Sequence, residues 1–135
     1  MIELTKDSID IGIVVRDSAR SLRFYRDTLG LDHVADMPMP VTGNGTMHRL
    51  MCGTTLVKLV SYDEPPVATN PPGGAAGAVG IRYFTLWVRD LAGLVKKFEE
   101  AGDRIAIPFT EIRPGVSIAM IEDPDGNWVE LVQNT

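Results

Sequence analysis

The chain has almost no cysteine. Cys52 stands alone, so no disulfide can close within it, and the composition suits a reducing compartment. It has no basic excess either. Lys and Arg number 13 against 18 Asp and Glu, for a net charge of −5. That balance excludes the concentrated positive surface that phosphate binding needs, so no nucleic-acid partner is expected. Arg16, Arg20, Arg23 and Arg26 recur in one segment, but Asp17 and Asp27 lie among them, which reads as a solvated face. No apolar run approaches the roughly 20 residues of a membrane helix, and no membrane partner is expected. The first ten residues lack the apolar centre of a signal peptide, and a cytoplasmic protein is the expectation. Histidine is scarce, with only His33 and His48.

What is present is an ordinary globular composition, 44% hydrophobic and 23% charged over 135 residues, enough for one domain with a sizeable core. Its most informative feature is an internal repeat. Asp10-Ile11-Gly12-Ile13-Val14-Val15-Arg16-Asp17 is echoed by Tyr83-Phe84-Thr85-Leu86-Trp87-Val88-Arg89-Asp90. Each copy reads as a strand running into an Asp helix cap, whose carboxylate accepts an orphan backbone N–H. Leu22, Tyr25 and Leu29 share one face of the first helix; Leu91, Leu94, Val95 and Phe98 share one face of the second. The helices stop at Gly30 and Gly102, where a left-handed residue costs little.

Strand-like runs follow at His33–Met37, Thr46–Met51 and Thr55–Ser61, then at Arg104–Ile107, Val116–Glu122 and Trp128–Val132. Asp123-Pro124-Asp125-Gly126-Asn127 is turn chemistry between the last two, and Cys52-Gly53-Thr54 takes the same place in the first half. Each half is therefore βαβββ. Module 1 spans about residues 8–62, a Pro-, Gly- and Ala-rich linker 63–80, and module 2 about 81–134. The expectation is one α+β domain of two tandem βαβββ modules, since neither half would bury its sheet alone.

Two segments carry a resemblance. Phe24-Tyr25-Arg26-Asp27-Thr28-Leu29-Gly30-Leu31 and Asp123-Pro124-Asp125-Gly126-Asn127-Trp128-Val129-Glu130-Leu131, inside the duplicated pattern, resemble the vicinal-oxygen-chelate (glyoxalase/bleomycin-resistance/dioxygenase) superfamily. The resemblance implies a partly open mixed-sheet barrel with a cleft for a small organic molecule, and a homodimer. It does not choose among glyoxalases, epimerases, dioxygenases, thiol transferases and drug-sequestering proteins, because fold does not give function.

In metal-dependent members the ligands come from the first and last strand of each module and point into the cavity. Strand alternation puts Asp10, Gly12 and Val14 on that face, with Leu56, Lys58 and Val60, then Tyr83, Thr85 and Trp87, then Trp128, Glu130 and Val132. The four ligand positions thus hold Asp10, Lys58, Tyr83 and Glu130. The family pattern is His, Gln or Glu, which only Glu130 matches, and a lysine ammonium has no lone pair to give. The reading is therefore metal-independent, with no cofactor, and a metal-dependent lyase or dioxygenase with atypical ligands as an alternative.

Two uses of the four residues stand side by side. In one, Lys58 anchors an enolate or carboxylate, Glu130 or Asp10 carries a proton, and Tyr83 donates a hydrogen bond, as in isomerase, lyase or cyclase chemistry. In the other, Lys58 only neutralises Glu130 or Asp10 in place of a metal. A third reading is a binding protein that sequesters a drug or toxin. Trp87 and Trp128 are candidates to stack on a ligand, with Thr85 and His48 as further contacts. Met37, Met39, Met47, Met51 and Met120 could line the cavity or simply fill space. Arg82 and Arg113 are candidates to meet an anion, though surface placement is the default. Cys52 has no basic partner near in sequence and is not expected to be catalytic.

Overall fold

The computed structural model describes residues 1–135, which divide into two compact units, 1–67 and 68–135. The first contains β1 (Ile11–Val14), a helix that begins at Ser18–Leu22 (α1), β2 (Asp32–Pro38), β3 (Gly45–Cys52) and β4 (Thr55–Tyr62). The second contains β5 (Tyr83–Trp87), α2 (Leu91–Glu100), β6 (Arg104–Arg113), β7 (Val116–Glu122) and β8 (Trp128–Asn134). The sheet orders are β1-β4-β3-β2 and β5-β8-β7-β6, so the sequence repeat is a repeat of topology. In each sheet the first strand pairs parallel with the last, and the other pairs are antiparallel. The fold is α+β: two tandem mixed sheets, each four-stranded and neither closed into a barrel.

Alternation sets the core of each unit. On β4, Val57 and Leu59 are buried on the side that packs α1, and on β8 Val129 and Leu131 are buried under α2. Leu91, Val95 and Phe98 form the buried stripe of α2, as the 3.6-residue spacing predicts. Asp17 and Asp90 cap the two helices, accepting from Arg20 N and Gly93 N at 3.2 Å each. Gly30 and Gly102 end them at φ +88° and +82°.

Three features depart from the sequence reading. The first helix widens to a π-helical turn over Arg23–Thr28, with Leu29 N bonded to Phe24 O. The buried face of the helix is Ser21, Phe24 and Tyr25, while Leu22 and Leu29 are only half-buried. Strand β6 runs past Ile107 to Arg113; register shifts on this edge strand accommodate Pro108, which has no N–H to donate. The linker also carries structure. Arg82 donates to Gly74 O, Pro71 O and Asn70 Oδ1, and the loop lays Gly74 against the indole of Trp128.

A Cβ at Gly74 would lie 2.3 Å from Trp128 Cζ2, on a residue whose φ is +65°. Gly74→Ala is expected to destabilise by about 1–3 kcal/mol, combining a left-handed alanine with a steric clash. The urea midpoint measures this, and an unchanged midpoint would contradict the packing described.

Candidate functional site

Each sheet has one face under its helix and one open face, and the expected site residues other than His48 fall on the open faces. In the first unit Gly12 and Val14 of β1 are level with Lys58 and Val60 of β4. Asp10 lies just before β1. Its Oδ1 accepts from Lys6 Nζ and, at 2.9 Å, from the backbone N–H of Leu56. The Lys6 hydrogen bond first, then that of Leu56, holds the Asp10 carboxyl below the ordinary carboxylate range, with Lys58 adding a through-space pull. Asp10 thus takes its ion pair from Lys6, and within this unit Lys58 is left without one.

Opposite Lys58 stands a residue that the strand reading passed over. Arg49 of β3 is its direct cross-strand partner. Its guanidinium lies 3.9 Å from the sulfurs of Met37 and Met47 and takes no carboxylate within the unit. Like charges directly opposite in an antiparallel pair are unfavourable. A half-buried Arg–Lys pair flanked by methionines and the buried Leu56 and Val60 is therefore a ready anion site, whose repulsion a bound carboxylate or enolate would relieve. The signal was in the sequence. A two-residue turn at Gly53-Thr54 fixes the β3–β4 register, and that register pairs 49 with 58.

A carboxylate with a depressed folded-state pKa contributes stability that is present above its unfolded value and is lost as pH falls through the folded one. Asp10→Asn is accordingly expected to flatten the loss of stability on acidification below about pH 4. Urea midpoints at neutral and acid pH test this, and identical acid profiles for wild type and variant would contradict it.

In the second unit, Tyr83, Thr85 and Trp87 pair with Trp128, Glu130 and Val132 across the parallel β5–β8 ladder. Thr85 Oγ1 donates to Glu130 Oε1 at 2.7 Å, which orients the carboxylate. Tyr83 and Trp87 are exposed, at 47% and 63%. Trp128 differs from Trp87. Its Nε1 donates to Glu122 Oε1 at 3.0 Å, Glu122 also binds Arg104, and Gly74 covers the ring. Of the two tryptophans, Trp87 is the one with a free surface for a ligand.

The metal positions implied by the fold family fit poorly. In the first unit Asp10 is already held by Lys6 and Leu56, and Lys58 can only donate. That unit therefore offers no ligand pair on its open face.

His48 lies elsewhere. It is 8% exposed on the helix side of the sheet, with Nδ1 2.7 Å from Asp36 Oδ1 and Nε2 2.9 Å from Ser18 Oγ. Both ring nitrogens are occupied, on the face opposite Arg49 and Lys58. Cys52 sits at the β3–β4 turn, where burial pushes its thiol up, away from nucleophile chemistry. A cavity of about 350 Å³ lies beside Arg89, Asp90, Phe109 and Gln133. None of the expected site residues lines it. Two of its polar groups are spent on the start of α2, Asp90 on Gly93 N and Gln133 on Leu91 N.

The profile of the Glyoxalase/Bleomycin resistance protein/Dioxygenase superfamily matches residues 9–131. No curated protein matches the sequence. Among solved structures, a glyoxalase family protein from Bacillus cereus is similar at 15% identity, covering 98% of this chain and 96% of its own, with a TM-score of 0.81. The trypanothione-dependent glyoxalase I of Leishmania major is similar at 24% identity, covering 92% and 84%, with a TM-score of 0.70. TnmS3, an antibiotic binding protein from a Streptomyces species, is similar at 22% identity, covering 98% and 100%, with a TM-score of 0.69. At these identities the likeness is one of fold.

Proposed function

The chain belongs to the glyoxalase/bleomycin resistance protein/dioxygenase superfamily, and from that premise we propose that it binds a small, largely apolar organic anion and moves a proton on it without a metal at the family positions. The observation that carries this reading is the Arg49–Lys58 pair, two cations side by side on an apolar open face with no carboxylate partner in their unit. Their role is to hold a carboxylate or a developing enolate. Glu130 is the proton carrier. Its Oε1 is oriented by Thr85, whereas Asp10 is committed to Lys6 and Leu56. Tyr83 is a hydrogen-bond donor and Trp87 a stacking surface. The step is an abstraction: the C–H bond next to the carbonyl breaks, its electron pair forms the enolate, and the proton passes to a carboxylate. Isomerisation, lyase or cyclisation chemistry would follow from that enolate.

A second reading is sequestration of a drug or toxin. Met37, Met47 and Met51 give the first open face an adaptable apolar lining, and one similar structure is an antibiotic binding protein. Proton exchange separates the two readings. A panel of 2-oxo carboxylates is incubated with the protein in D2O and followed by NMR. Catalysed deuterium uptake at the carbon next to the carbonyl, abolished in Glu130→Gln, is expected of the enzyme. Saturable binding of a panel member with no exchange would overturn the acid–base reading in favour of sequestration.

No helix is long and apolar enough to cross a membrane, and a cytoplasmic homodimer is proposed with this activity. Light scattering that shows a monomer at micromolar concentration would remove the dimer.

A further inference from the structure

On the helix side of the first sheet, away from the open face, His33, Asp36 and His48 bring three potential metal-ligating atoms within 4.8 Å of one another. We propose that these three residues form a second site of the protein, one that takes a single borderline divalent cation such as zinc.

The backbone is arranged to make the cluster. On a regular strand, residues 33 and 36 point to opposite faces. In β2 the register shifts between His33 and Ala35, so His33 pairs with Leu50 and Asp36 with His48. Leu50 and His48 share a face of β3, and the bulge therefore turns His33 onto the side of Asp36 and His48. The two imidazoles meet edge to face, with centroids 5.9 Å apart.

The donor set suits a borderline cation: two imidazole nitrogens and one carboxylate oxygen. Asp36 Oδ1 now lies between them, 2.6 Å from His33 Nε2 and 2.7 Å from His48 Nδ1. Ligand atoms around tetrahedral zinc stand about 3.4 Å apart. Reaching that spacing needs Asp36 to withdraw by about 0.7 Å from each nitrogen and the two imidazole nitrogens, which lie within 4.8 Å of each other, to close up. The side chains of Asp36 and His33, 51% and 19% exposed, have room to make these movements, while His48, at 10%, is held. Three protein ligands leave a fourth position for water.

A support outside the ligands is also in place. Ser18 Oγ lies 2.9 Å from His48 Nε2. With a cation on Nδ1, the ring proton resides on Nε2 and donates to Ser18, the kind of contact that fixes the tautomer of a ligating histidine. Ser18, His48 and Asp36 also have the connectivity of a nucleophile, a base and an orienting carboxylate. His33 argues for the metal, because an orienting carboxylate serves one imidazole and Asp36 Oδ1 contacts two.

The test is titration of the chelator-stripped full chain with Zn2+ by calorimetry and with Co2+ by absorption. Wild type is expected to bind one equivalent, gain thermal stability and give the d–d spectrum of nitrogen- and oxygen-ligated Co2+. His33→Ala and Asp36→Asn change partly exposed side chains and are expected to keep the fold while weakening binding at least tenfold. No stoichiometric binding by wild type would overturn the proposal, as would undiminished binding in both variants. Neither result bears on Arg49, Lys58 or Glu130, which lie outside the cluster.

Discussion

Replacing both Arg49 and Lys58 by methionine is expected to weaken binding of a small carboxylate by at least about a hundredfold while leaving the free protein as stable as before, or more so. The first half follows from two charge-assisted hydrogen bonds, each contributing about 1.5–3 kcal/mol, where about 1.4 kcal/mol is a factor of ten. The second half follows from register. The two side chains are directly opposed across β3 and β4, so the wild-type pair repels, and methionine keeps the volume against Met37 and Met47. This combination separates an anion site from a structural role. If Lys58 were there to neutralise a carboxylate inside the fold, its loss would leave that charge uncompensated, and the double variant would lose several kcal/mol of stability. Ligand titration together with thermal unfolding of the free protein reads both halves. Lost stability with retained affinity would reverse the assignment.

Phe98→Ala carries the largest expected effect on stability. The ring is fully buried at the centre of the α2 stripe, and the helix packs on β6, β7 and β8. Truncating a buried phenylalanine removes its transfer free energy and leaves a cavity, together about 3–5 kcal/mol. For a chain of this size that is a fall in Tm of about 10–20 °C. Calorimetry measures it, with Lys96→Ala as the companion control, since Lys96 is exposed on the same helix. A Tm change under a few degrees for Phe98→Ala would mean that α2 does not close the core of the second unit.

The topology was legible because the chain states it twice. The Val-Arg-Asp endings at residues 15–17 and 88–90, the stops at Gly30 and Gly102, and the turn at Asp123–Asn127 all fell where the elements begin and end. On β4, alternation put Val57 and Leu59 on one face, where they are buried under α1, and Lys58 on the other. What alternation alone could not supply was a pairing across strands. Arg49 becomes conspicuous only when the Gly53-Thr54 turn is used to count the register back from Cys52–Thr55.

Other features were hidden for physical reasons. His33 and Asp36 stand three apart, a spacing that a regular strand sends to opposite faces, and only the bulge unites them with His48. The first helix buries Ser21 with Phe24 and Tyr25, and a hydrophobic pattern passes over a small polar core residue and names Leu22 and Leu29 instead. Trp128 shared a strand face with Glu130, and nothing local could show that a glycine more than fifty residues earlier would lie on its ring. For the cluster and for Trp128 the deciding contact is non-local or the backbone irregular.

The most direct test of the central claim is thermal unfolding with a panel of small aliphatic and aromatic carboxylates, each beside its methyl ester, in the presence of a chelator. The account predicts that at least one carboxylate stabilises the wild-type chain saturably, that its ester does not, and that the Arg49→Met, Lys58→Met double variant shows no such difference. Equal stabilisation by acid and ester, or stabilisation that survives in the double variant, would contradict it.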